Sequence, residues 1–368
     1  MKQISPITFN TIRNNMIHLC KKEKINARYD NNDEHGINIP GFKKKAGHHE
    51  TTNWPNAIAS ISLQNDSAIK TLRKSNKKIQ SKNKCKTILD CSSYIQVLFL
   101  TALINTIKND TLLKSVLLNL IITEKNTNQN LIIAPAGATT YTDKPTQGFL
   151  YEMKNYLDIH TIETKSTIKS IINSYNLKEG DIVYIENHQD YENWAPNGAW
   201  AGEWCLLTSI TPENIKLFGF GPGELSYNKM VSTMAKNAYE EKNNFDNNIL
   251  GKIHKCIKSN NPNKTLENYI HNNCNVNHIL NNSILTNVDT ATTIIKNITS
   301  KNNSRLNIFK KALKKTKKNS QKETIKNGPT AIFKNYIFVT EIIQFNDSKI
   351  NTLFLNHTEN LQSHINSI

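Results

Sequence analysis

The stretch Lys178-Glu179-Gly180-Asp181-Ile182-Val183-Tyr184-Ile185-Glu186 decides the fold. Its first four residues have the chemistry of a tight turn, and the remainder alternates as a strand does. Just upstream, from Thr161 to Tyr175, Ile162, Ile168, Ile171 and Ile172 fall at helical spacing. Downstream comes a polar, aromatic loop from His188 to Gly202, then a second strand from Trp204 to Ile210. Pro212 to Asn214 turns into a third, Ile215 to Phe220, closed by Gly221-Pro222-Gly223. Three consecutive strands on short connections predict an antiparallel meander. A helix is expected from Leu225 to Lys242.

Further out, apolar density rises sharply between Asp90 and Ile122. Ile95, Val97, Leu98, Phe99, Leu100, Ala102, Leu103 and Ile104 would cover nearly every side of a helix, which must then be buried. Asn126 to Pro145 reads as a loop. These features predict an α+β core over 86–242, a central helix packed on an antiparallel sheet. Residues 1–85 read as a polar, basic N-terminal segment, a linker or surface stretch with a weak helical pattern from Ala57 to Arg73. Residues 243–368 read as an Asn- and Lys-rich, largely helical C-terminal extension, with a strand-like piece from Tyr336 to Phe345.

The chain has 368 residues, 46 basic against 30 acidic, net +16. Alone, that balance would favour a nucleic-acid or membrane-surface partner. Yet residues 86–240 hold 12 Lys, no Arg and 16 acids, net −4, while the flanks hold the other 34 basic and 14 acidic residues. The abundance of Asn, Lys and Ile is what an AT-rich coding sequence produces, so a nucleic-acid partner is disfavoured. Cys20, Cys85, Cys91, Cys205, Cys256 and Cys274 are too irregular for a disulfide framework and read as reduced thiols. Met1 to Lys24 lacks the apolar stretch of a Sec signal. The most apolar run, Tyr94 to Ile107, is too short and too interrupted to span a bilayer. The expectation is a soluble protein, cytoplasmic or exported by a specialised route.

Cys91 stands directly before the buried helix, in Leu89-Asp90-Cys91-Ser92-Ser93-Tyr94. Unpaired N–H groups and the positive dipole end of a helix lower a thiol pKa and stabilise an oxyanion, so this is a nucleophile's position. Gly180-Asp181-Ile182-Val183-Tyr184 resembles the turn that opens the first strand of papain-like enzymes of the NlpC type. In those enzymes the base begins the next strand, and here Glu203 of Gly202-Glu203-Trp204 occupies that place, not a His. With Asp90-Cys91, the helix ending Leu103-Ile104-Asn105-Thr106-Ile107, the Trp200-Ala201-Gly202-Glu203 block and a weaker Lys216-Leu217-Phe218-Gly219-Phe220-Gly221 block, the chain resembles the bacterial transglutaminases of the bacillus spore-coat type. The resemblance covers about 86–235, with Asn53-Trp54 as a further match upstream.

That resemblance implies Cys91 as nucleophile, Glu203 as its acid/base partner and Asp90 as a second acid. It implies a cross-link between a protein glutamine and a lysine or other amine, with no cofactor and in particular no calcium. Phe220 departs from it, standing where the family has a His. A carboxylate is a poor base for a thiol unless burial raises its pKa, and Trp200 and Trp204 beside Glu203 would form the apolar wall and line the substrate site. Two other functions remain open: a glutamine deamidase effector or toxin, and a catalytically inactive basic interaction protein. His188 reads as a solvated loop residue that could replace the missing imidazole. His254, Cys256, His271, Cys274 and His278 match no known zinc spacing, so no metal is expected. Lys310, Lys311, Lys314, Lys315, Lys317 and Lys318 form a basic helix face.

Overall fold

The computed structural model describes residues 7–25, 27–29, 61–81, 87–121, 149–188, 200–211, 214–241 and 336–367. It also describes short pieces at 42–43, 129–131, 138–140 and 145–146 and the single residues Tyr191 and Lys334. Two compact units divide the chain: 1–185 with 203–230 and 339–368, and 186–202 with 231–338.

In the first unit, α1 (Phe9–Lys21), α2 (Ala68–Ile79), α3 (Cys91–Thr106), α4 (Asp110–Ile121), α5 (Ile168–Tyr175) and α7 (Asp347–Ser367) surround a six-stranded sheet. A helix over 227–241, α6, carries the chain into the second unit. A parallel pair, β1 (Ala27–Tyr29) with β2 (Thr87–Leu89), lies apart from the sheet. The sheet itself comprises β3 (Leu157–Thr161), β4 (Ile182–Glu186), β5 (Gly202–Ile210), β6 (Ile215–Gly219), β7 (Gly223–Ser226) and β8 (Phe338–Phe345). Their order across it is β7-β6-β5-β4-β8-β3. β5 and β6 pair antiparallel with a bulge between Leu207 and Ser209, as do β6 with β7 and β8 with β3. Asp181 bonds Leu207 at one end of the β4–β5 pair and Asn187 bonds Ala201 at the other, so this pair is antiparallel too. The expected α+β class and the β4-β5-β6 meander are therefore present.

α3 is apolar on every side, and all residues from Ser92 to Ile104 are buried. It ends at Thr106, close to the expected position; Asn109 then accepts from the Leu112 N–H at 2.9 Å and starts α4. Thr167 starts α5, its hydroxyl accepting from the Ser170 N–H, so this helix is shorter than the run from Thr161 suggested. β3 ends at Thr161, and residues 162–167 connect it to the helix. β7 is a further strand that the Gly-Pro-Gly closure did not announce.

Two readings of the flanks are corrected. α1 lies in the segment read as linker or surface, yet Phe9, Ile12 and Met16 are wholly buried and belong to the same core as α3. Its apolar positions recur every three or four residues among Asn and Thr, which is enough for one buried stripe. Residues 338–367, read as part of an extension, complete the fold: β8 enters the sheet between β4 and β3, and α7 packs on α1 and α4. Phe9, Phe99 and Phe345 meet with centroids 4.9 to 6.3 Å apart, joining α1, α3 and β8. Such ring pairs are each worth about 0.5–1.5 kcal/mol beyond their buried area.

A buried arginine makes the same connection. Arg13 donates to Asp181 Oδ1 at 2.7 Å, to Asp347 Oδ1 at 2.8 Å, and to the carbonyls of Glu179 and Phe345. Gly180 takes a φ of +89°, and a Cβ there would come within 3.0 Å of the Arg13 side chain. Asp181 also accepts from the Lys178 N–H at 2.8 Å. The Gly-Asp turn that suggested a catalytic family thus has a structural task of its own.

Candidate active site

Cys91 is the first residue of α3, and Asp90 is its N-cap, accepting from the Ser93 N–H at 2.6 Å. The Asp90 carboxylate therefore satisfies one of the helix's open donors. Cys91 is partly exposed, and it is a free thiol, as are the buried Cys20 and Cys205. The other three cysteines lie outside the described residues.

Glu203, the second residue of β5, is only 1% exposed. Its carboxylate reaches sideways to the end of β6. The N–H groups of Phe220 and Gly221 face it, the latter at 3.5 Å from Oε1. Among the described residues no cation offsets its burial, which pushes its pKa up to about 8, with the Asp90 charge adding to the rise and the two N–H groups opposing it. Burial thus shifts Glu203 in the direction a thiol's base requires.

Cys91 and Glu203 feel each other. The backbone N–H groups of Trp204 and Ser92 point at the Cys91 sulfur and favour its thiolate. They do not prevail. Burial pushes the thiol well above its usual range, and the carboxylates of Glu203 and Asp90 push it further. The expectation of a thiol lowered by the helix start is corrected: desolvation and two like charges outweigh two amides. At neutral pH Cys91 therefore rests as a thiol while Glu203 holds its proton. Cys205 is fully buried; burial pushes its thiol up, and Glu203 and Cys91 push it further.

The indoles have other surroundings than the sequence suggested. Trp204 is 6% exposed and part of the core, its ring 4.9 Å from that of Tyr184. It follows Glu203 on a strand, where successive side chains leave opposite faces. The wall against Glu203 is built instead by Gly219 and Pro222. Phe220, where the resemblance expects a His, stacks on Tyr94 at 4.3 Å and 15°, so its ring packs on α3 one helical turn after Cys91.

Trp200 belongs to the second unit and is half-buried; its N–H donates to the Tyr191 hydroxyl at 3.0 Å, and its carbonyl accepts from Asn187 Nδ2 at 2.7 Å. Tyr191 in turn donates to Glu241, all within that unit. His188, also there, is 3% exposed with its ring 4.5 Å from Tyr336, not the solvated loop residue anticipated. Among the described residues no helix is long and apolar enough to cross a membrane, and no group of three metal-binding side chains gathers. The His/Cys set at 254–278, the lysines at 310–318 and Asn53-Trp54 lie outside the described residues.

No family model, no curated protein and no solved structure matches this chain.

Proposed function

We propose that this chain is a protein-glutamine γ-glutamyltransferase built on a papain-like core, with Cys91 as nucleophile and Glu203 as acid and base. The observation that carries the reading is the Cys91–Glu203 pair. A partly exposed thiol at a helix start is faced by two N–H groups and coupled to a buried acid whose pKa, about 8, lies in the working range.

When the pair loses one proton, the other can rest on either group, and the form with thiolate and neutral acid is the reactive one. The sulfur attacks the carboxamide carbon of a glutamine side chain. The C–N bond then breaks, and ammonia leaves with the proton from Glu203. A thioester and a carboxylate remain. A lysine amine attacks the thioester, Glu203 takes the proton released from that amine, and the C–S bond breaks to restore the thiolate. Water in place of the amine gives glutamate, which is deamidation. The N–H groups of Ser92 and Trp204 are placed to stabilise negative charge at the sulfur and at an adjoining oxyanion. The partners are then a protein with an accessible glutamine and an amine donor, and the chemistry needs no cofactor.

The test is incubation of a glutamine-rich protein with a primary-amine probe and either wild type or Cys91→Ala, read by mass spectrometry. Incorporation by the wild type alone supports the proposal. Deamidation without incorporation moves the assignment to a glutamine deamidase, and the absence of both refutes an acyl-transfer function for Cys91.

A further inference from the structure

The Glu203 side chain ends in a space that only a glycine at 219 leaves open. A Cβ on Gly219 would lie 2.8 Å from Glu203 Oε1, 2.9 Å from its Cγ and 2.9 Å from Cγ of Pro222. Gly219 is not among the left-handed glycines, which are Gly180 and Gly223 among the described residues, so space and not backbone freedom explains it. The ladder sets Gly219 opposite Cys205, which shares a face of β5 with Glu203. The carboxylate is therefore laid diagonally across to the neighbouring strand. There Phe220 and Gly221 supply N–H groups and Pro222 closes the far side.

We infer that the turn from Gly219 to Pro222 is a carboxylate cradle, and that Gly219 is a positioning residue holding Glu203 where it shares a proton with Cys91. The catalytic consequence rests on the proposed function; the placement does not. A contact below 3.0 Å cannot stand. With Ala at 219 the Glu203 side chain must swing away, and the Pro222 ring, its Cγ also 2.9 Å from the new Cβ, must give with its turn. The change therefore falls on the carboxylate and on the turn that cradles it.

The groups facing Glu203 are Cys91, Asp90 and Cys205. The experiment follows the rate of Cys91 alkylation by iodoacetamide in the full chain, read on the Cys91 peptide by mass spectrometry, from about pH 6 to about pH 10, a range that brackets the Glu203 titration. In the wild type the rate climbs with pH and breaks near 8, where Glu203 becomes negative beside the thiol and opposes its ionisation. Glu203→Gln removes that break and is about tenfold faster than wild type one pH unit above it. Gly219→Ala is expected to follow the Glu203→Gln profile, with kcat for amine incorporation reduced about a hundredfold and KM unchanged. Denaturant unfolding of Gly219→Ala, measured in parallel, keeps a loss of fold apart from a loss of placement. Gly223→Ala, on the same hairpin with φ +75° and nothing near its Cβ, keeps the wild-type profile.

A wild-type break retained in a folded Gly219→Ala overturns the inference, and so does a break lost equally in Gly223→Ala. If the alkylation profiles behave as stated while no amine is incorporated, the proposed function fails and the cradle stands. If amine is incorporated and Gly219→Ala matches wild type, the reverse holds.

Discussion

The β4–β5 pair carries a buried carboxylate near each end, and the two have different company. Asp181 and Glu203 are both 1% exposed. Burial pushes Asp181 up, and the Arg13 guanidinium with the Lys178 and Phe345 N–H groups offsets part of that rise. Among the described residues Glu203 is given two N–H groups and no cation, and rises to about 8. A buried acid supplied with a counter-charge serves as an anchor; one denied it becomes a group whose proton is available near neutral pH. The first end ties α1, β4 and the β8–α7 junction together, and the second acts on the partly exposed thiol of Cys91.

The comparison breaks most visibly at Glu203. Glu203→Gln should lower kcat for amine incorporation by about 10²- to 10⁴-fold. The same change should speed simple alkylation of Cys91 above pH 8, because it removes the charge that opposes thiolate formation. A relic with no catalytic role for the acid would show only the second effect.

At the other end, Arg13→Ala leaves Asp181 buried without its cation and should destabilise the fold by about 3–5 kcal/mol, measured by denaturant unfolding. Asp181→Asn in the same chain should recover part of that loss. Activity per folded molecule should change little, which separates anchor from site.

Next in size is the pH dependence that the Glu203 shift imposes. Its folded pKa lies above its unfolded value, so the folded state holds a proton the unfolded chain releases. Stability from this group is full below about 4.5 and is lost as pH rises to about 8, by on the order of 5 kcal/mol. Glu203→Gln should flatten that part of the stability curve. For the same reason kcat/KM should climb about tenfold per pH unit below 8 and level off above it.

Smallest is Asp90→Asn. An asparagine keeps the N-cap and removes the charge, so stability should hold to within a few tenths of a kcal/mol. Alkylation of Cys91 should quicken severalfold, and turnover should change less than about threefold. A loss of turnover comparable to that of Glu203→Gln would make Asp90 the second acid that the family resemblance implies.

The elements that were legible in the sequence are those whose partner is near in the chain. The Gly180-Asp181 turn, β4, β5 and β6 follow one another, and α3 announces its burial by being apolar on every face. β8 was visible as a strand, but its place between β4 and β3 was not, because its neighbours lie more than 150 and about 180 residues earlier. α1 was hidden by composition: a stripe of Phe9, Ile12 and Met16 among Asn and Thr is a weak signal until the core it covers is known. At the site, Cys91 and Glu203 could be chosen from their positions. The direction of the Cys91 shift could not, since it depends on how much desolvation and how many carboxylates surround one sulfur atom. Gly219 carries no signal of its own; it matters through a side chain on the adjacent strand.

The most direct measurement is an NMR titration of the chain carrying ¹³C-labelled glutamate, with Glu203→Gln and Cys91→Ala to assign the signal. A carboxyl resonance that is missing in Glu203→Gln, titrates near pH 8 in the wild type and shifts in Cys91→Ala is the predicted result. A Glu203 resonance that titrates near 4.5 and ignores Cys91→Ala would contradict the poised acid and, with it, the catalytic pair.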